Sequence, residues 1–135
     1  MKRHLNKRAK KVLRVKKIIE FWKKCDFFEE DFVLCSTLGN VAVNGVVQKG
    51  TVNAKGYRLI TAENQQHYVH QIMSYTYYGE KPEPNMLIRH LNGNSLDNRK
   101  CNLKYGTYKE NVQDSIKHGT HITVTRRAKN AKKNN

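Results

Sequence analysis

With 135 residues the chain has room for one domain with a single modest core, which excludes a large multi-step enzyme. Hydrophobic residues make up 38% and aromatics 9%, enough to pack such a core. The formal net charge is +15, and its placement is informative: residues 1–24 hold eleven Lys/Arg against one acid, residues 126–135 hold five and none, and residues 25–125 balance ten bases with ten acids.

Two basic flanks on a neutral body are the footprint of arms that lie along a polyanion and displace its counterions. Lys16, Lys17, Arg126 and Arg127 are the cations expected on phosphate there. Three cysteines with no C-x-x-C pair fit neither a disulfide framework nor a zinc cage, so they read as small packing residues in a reducing compartment. No stretch approaches the ~20 apolar residues of a membrane span, and the start lacks a signal-peptide core, so a soluble, cytoplasmic protein is expected. The basic, acid-free start shares that much with organelle transit peptides but is poor in Ser and richer in Lys than in Arg.

In chain order, Val12, Val15, Ile19 and Trp22 recur at helical steps over residues 8–24, with Ile18 beside them and Lys and Arg opposite. This predicts a basic amphipathic helix, residues 1–24 forming an arm. Its apolar stripe would dock on the domain rather than lie on a membrane. The acidic stretch Asp26 to Asp31 marks a boundary. A β-rich segment over 25–65 follows, with apolar runs at Phe32 to Cys35, Val41 to Val47 and Tyr57 to Ala62, separated by turn residues such as Asn44-Gly45 and Gly56. A helix is predicted from Tyr68 to about Tyr78, closed by Gly79 and the Pro82 and Pro84 pair. Tyr75, Tyr77 and Tyr78 stand too close together to share one of its faces.

Residues 86–121, MLIRHLNGNSLDNRKCNLKYGTYKENVQDSIKHGTH, carry the chemistry. Met86 to Ile88 reads as a strand delivering Arg89 and His90. Leu91 to Arg99 is a turn-forming loop, and Asn102 to Tyr105 is a return strand. Thr107, with Glu110 three positions on, makes a capping box for a helix running to His118 and stopped by Gly119. Such a strand, loop, strand, helix unit can hold a histidine and a polar ligand about one metal ion.

His90, Asn102 twelve residues on and Asn111 nine further, with RHLNGN, DNR, NL and the run GTYKENVQDSIKHGTH, resemble HNH endonucleases of the phage and mobile-intron type. The resemblance extends upstream through STLGNVAVNGVVQKG, KGYRLI and YVHQIMSYTYYG, covering residues 32–121. It implies an α+β fold in which a ββα-metal core over 66–121 follows the small antiparallel β lead-in and the basic N-terminal helix, with a basic tail over 122–135. It also implies metal-dependent hydrolysis of DNA phosphodiesters.

His90 would then be the general base, a role suited to an imidazole and worth roughly 10²- to 10⁴-fold in rate. Asn111 would give its side-chain oxygen to Mg²⁺ or Mn²⁺. Asn102 would bridge the loop and hold His90 in aim. One departure stands out: relatives often carry Asp before the histidine as a second metal ligand, and here that position is Arg89, which cannot bind a cation but could clamp a phosphate. Asp114 or His118, at i+3 and i+7 from Asn111, would supply the missing ligand. Arg99, Lys100, Lys104 and Lys109 are the further candidates for backbone contact. His70, on the preceding helix, reads as packing against the hairpin, and His118 or His121 could meet phosphate. Double-stranded DNA is the expected partner, and the alternative is an HNH fold that binds DNA or RNA without cutting. The sequence sets no oligomeric state.

Overall fold

A computed structural model of the chain describes residues 19–119. These form an α+β fold with three antiparallel sheets and two α-helices. The first sheet is a meander of β1 (Trp22–Lys24), β2 (Val33–Ser36), β3 (Val41–Val43) and β4 (Val46–Gln48). Its β3–β4 hairpin turns on Asn44-Gly45, both at positive φ (51° and 84°), the two-residue turn whose twist matches paired strands. Asn44 is held there by its side chain, which accepts from the Phe32 N–H at 2.9 Å and donates to Asp31 at 3.1 Å.

The second sheet is β5 (Thr51–Val52), β6 (Arg58–Ala62) and β7 (Gln65–Tyr68), and β7 runs directly into α1 (Val69–Tyr78). Helix α1 buries Val69, Ile72 and Met73 and stops at Gly79, φ 77°. The third sheet is the hairpin of β8 (Leu87–His90) and β9 (Leu103–Gly106), with a 3₁₀ turn at Lys100–Asn102 before β9 and α2 (Tyr108–Lys117) after it. The capping box is present: Thr107 Oγ1 accepts from the Glu110 N–H at 3.2 Å while Glu110 accepts from the Thr107 N–H at 3.0 Å. One core joins these parts, built from Cys25, Val33 and Val41 of the first sheet, Ile60 of the second, Met73 of α1 and Leu103 of β9.

Two expectations about the N-terminal part change. Residues 22–24 are not the end of a helix: they pair with β2, Trp22 opposite Ser36, and Phe21 exchanges hydrogen bonds with Thr37. The pairing with β2 overrides the helical spacing at this end, a tertiary contact that local periodicity does not encode. Ile19 and Trp22 are 66% and 39% exposed, so this end of the expected stripe is not docked on the core; Val12, Val15 and Ile18 lie outside the described residues. The boundary expected after residue 24 falls between β1 and the fully buried Cys25, and the one at 65/66 falls inside β7. The lead-in and the motif are therefore parts of a single packed unit. Tyr77 donates to the Cys35 carbonyl at 2.6 Å, Tyr78 to the Lys100 carbonyl at 2.6 Å, and the Lys100 N–H to the Thr37 carbonyl at 3.1 Å. These bonds give two of the crowded tyrosines separate tasks.

Candidate active site

The loop between β8 and β9 is turned by its own side chains. Asn92 accepts from the Asn94 N–H at 2.9 Å, Asn94 accepts from the Leu96 N–H at 3.0 Å, and Gly93 takes φ 76°. Asn102, 5% exposed, closes this loop from beneath: its oxygen accepts from the Asn92 N–H at 2.9 Å, and its amide donates to the Asn92 side chain at 2.9 Å and to the Asp97 carbonyl at 2.8 Å. His90 ends β8, with Nε2 2.9 Å from Oδ1 of the buried Asn98. An amide oxygen only accepts, so this contact favours a proton on Nε2 and leaves Nδ1 as the basic nitrogen.

His90, Asn111, Asp114 and His118 line one cavity of about 420 Å³, together with His70, Tyr57, Tyr68, Lys55 and Lys81. Asn102 lies below it as part of the loop. Lys55 and Tyr57 arrive on the β5–β6 turn, where the Asn53 side chain accepts from their N–H groups at 3.1 and 3.0 Å; Ser95 ties the motif loop to this turn by donating to the Gly56 carbonyl at 2.6 Å.

Arg89 is spoken for. Its Nε and Nη2 donate to the two oxygens of Asp114 at 2.6 and 3.0 Å, and its Nη1 to Glu110 at 3.0 Å, with the Arg89 side chain only 14% exposed. The guanidinium holds the Asp114 carboxyl below its usual range, and Asp114 in turn raises the arginine. Gly106 makes room for this crossing, since a Cβ there would fall on Cδ of Arg89. Arg89 therefore braces β8 to α2 through all three of its guanidinium nitrogens. Asp114 lines the cavity but shares both oxygens with that brace. His118 places Nε2 3.0 Å from the Leu91 carbonyl and lays its ring against Gly93, which occupies that nitrogen.

The remaining expected cations lie elsewhere. Arg99 is paired to Asp97 through Nε and Nη2, each at 2.8 Å, the Lys100 ammonium sits 5.2 Å from the Tyr77 ring centroid, and Lys104 and Lys109 are exposed away from the cavity. Lys16, Lys17, His121, Arg126 and Arg127 lie outside the described residues. Sequence reasoning missed Asn98 although it stands within DNR, because an asparagine in an Asn-rich loop carries no mark of its partner. It missed Lys55 and Lys81 because only the fold brings them to the histidine.

Among the described residues, no three His, Cys, Asp or Glu side chains cluster as a metal cage. The oxygen donors of Asn111 and Asp114, one turn apart on the face of α2 that lines the cavity, suit a hard divalent ion that keeps water and substrate oxygens as its other ligands. No described helix is long and apolar enough to cross a membrane.

Residues 67–113 match the family model described as HNH endonuclease. Aligned over 116 residues, 81% of this chain, the sequence is 32% identical to an uncharacterized HNH endonuclease of Acanthamoeba polyphaga mimivirus, and it spans 29% of that protein's length. The fold is similar to a solved structure of the HNH homing endonuclease I-HmuI, reported for DNA binding and cleavage, with TM-score 0.62, 22% identity, and coverage of 84% of this chain and 68% of that one.

Proposed function

Since the chain belongs to the HNH endonuclease family, we propose that it hydrolyses DNA phosphodiester bonds at the His90 cavity, with Mg²⁺ or Mn²⁺ and His90 as general base. The observation that carries this reading is His90 itself, oriented through Nε2 by Asn98 and sharing a cavity with Asn111. Nδ1 takes a proton from water as the water oxygen bonds to phosphorus, and the phosphorus bond to the leaving sugar oxygen breaks. Asn111 would hold the divalent ion through its side-chain oxygen, and Asp114 would be the second oxygen donor. Once bound, the ion polarises the phosphate and stabilises charge on the leaving oxygen.

Lys55 and Lys81, flanking the cavity, replace Arg89 as the cations that meet the flanking phosphates. The basic flanks at residues 1–18 and 126–135 add sequence-independent contacts. Arg89 favours a second reading, a nucleic-acid binder without catalysis, because it stands where a carboxylate ligand is expected and draws on Asp114 as well. Supercoiled plasmid incubated with Mg²⁺ or Mn²⁺ separates the two. We expect relaxed or linear product from the wild type, none from His90→Ala, and equal DNA retention by both. Retention by both proteins without cleavage in either metal establishes the binder, and stronger retention of RNA than of DNA reassigns its partner.

A further inference from the structure

Four histidines lie among the described residues, and three have a ring nitrogen near an oxygen: His67 with the Ala62 carbonyl at 3.3 Å, His90 with Asn98 at 2.9 Å and His118 with the Leu91 carbonyl at 3.0 Å. His70 has no such partner, and its Nδ1 is sealed from solvent. A buried polar atom left unpaired is costly, and a histidine serving only to fill the core would ordinarily be paired. His70 lies instead on the wall of the cavity, in the first turn of α1, with ring centroids 5.0 Å from Tyr57, 5.1 Å from Tyr68 and 5.4 Å from His90.

Building on the phosphodiesterase reading above, we propose that His70 is a second imidazole of the site, donating its Nε2–H as an uncharged group to a non-bridging oxygen of the scissile phosphodiester.

The surroundings select that form. With Nδ1 sealed and no acceptor near it, a proton there would be unpaired, so the neutral ring carries its proton on Nε2, the polar atom left to face the cavity. Burial first, and then the neighbouring His90, pull the pKa down to about 4. Lys55 and Lys81 on the cavity wall and the N-terminus of α1 disfavour an imidazolium in the same direction, and the one carboxylate on that wall, Asp114, is engaged by Arg89. A neutral donor fixed in place binds the phosphate oxygen more strongly as charge accumulates on it in the transition state, so its effect falls on turnover rather than on DNA affinity. His90 and His70 thereby divide the work: one removes the proton from water, and the other steadies the phosphate that the water attacks.

Two measurements on the full chain test this. In plasmid cleavage, His70→Phe keeps a ring against Tyr57 and Tyr68 but has no N–H. We expect kcat to fall about 10²-fold with KM within about threefold of wild type, and His70→Gln, whose amide can reach the same point, to recover about a tenth of wild-type kcat. A kcat for His70→Phe within twofold of wild type, or a loss equal in both variants that follows their melting temperatures, overturns the proposal. Independently of cleavage, the protein labelled with ¹⁵N-histidine is titrated with a short DNA duplex in EDTA. The His70 Nε2 resonance, assigned by its absence in His70→Gln, is expected to move while His67 stays. A His70 signal unmoved at saturation overturns the contact even if the protein cuts. A signal that moves in a protein that does not cut supports the contact and removes only the catalytic reading on which it was built.

Discussion

His70 and Arg89 show what residue-level reading of the sequence could and could not reach. His90, Asn102 and Asn111 could be singled out as candidates because several spacings of the motif agree at once. The partners of Arg89 were not, since whether it meets phosphate or Asp114 depends on the angle between β8 and α2, which no spacing encodes. His70 was visible as a histidine before the motif, but its orphaned Nδ1 is a property of packing alone. That packing has a pH signature. A group whose pKa is near 6.5 in the unfolded chain and about 4 in the fold takes up its proton first in the unfolded chain. Its contribution to stability is complete above about pH 6.5, declines as pH falls, and is exhausted near pH 4, a loss on the order of 3 kcal/mol at about 1.36 kcal/mol per pKa unit. Asp97, held down to about 2 chiefly by Arg99, and Asp114, lowered by Arg89, act below that window, where protonation removes what they contribute. Urea denaturation of wild type and His70→Phe between pH 7 and 4.5 should therefore show a steeper decline for the wild type, and parallel curves would refute the assignment.

At the level of elements, the β8–β9 hairpin and α2 were readable because the Asn-rich loop, the capping box and Gly119 each mark a boundary by a local mechanism. β7 and β1 were not. The β6–β7 turn runs through Glu63 and Asn64, both at positive φ (48° and 59°), with no glycine to announce it. It is held from outside, by Asp31 accepting from the Glu63 N–H at 2.6 Å and Glu63 accepting from the Glu30 N–H at 2.6 Å. The joint between hairpin and helix rests on the small residue at 106 as much as on charge. Gly106→Ala should displace Arg89 and release Asp114 and Glu110 just as Arg89→Ala does, each costing roughly 1–3 kcal/mol. The double variant should cost little more than either single one, because both remove the same brace. Chemical denaturation measures all three, and additive losses would show that Gly106 matters for another reason.

For the whole molecule, β1 redraws where the basic arm can be cut away. The composition break suggested residue 24, but removing 1–24 also strips β1 from the first sheet, leaving the β2 edge open and the buried Cys25 as the new chain end. Removing residues 1–18 takes away nine Lys/Arg and leaves every described strand in place. The shorter truncation should keep the melting temperature within a few degrees and flatten the dependence of log Kd on log salt, while the longer one lowers the melting temperature by several degrees. An unchanged salt slope after removal of 1–18 would locate the phosphate contacts elsewhere, on Lys55, Lys81 or the C-terminal flank.

Gly39, in the β2–β3 turn at φ 86°, abuts the backbone of Asn98 so closely that a Cβ would lie 2.7 Å from the Asn98 carbonyl carbon and 3.0 Å from the Arg99 nitrogen. Asn98 is the residue that aims His90. The portable unit of this protein is therefore larger than its recognisable motif. A graft of residues 67–113 into another scaffold would carry the histidine and both motif asparagines yet leave behind the surface that seats Asn98, whereas a graft of residues 21–118 carries the seat along. Wherever evolution or a designer moves this site, the meander in front of it has to travel too.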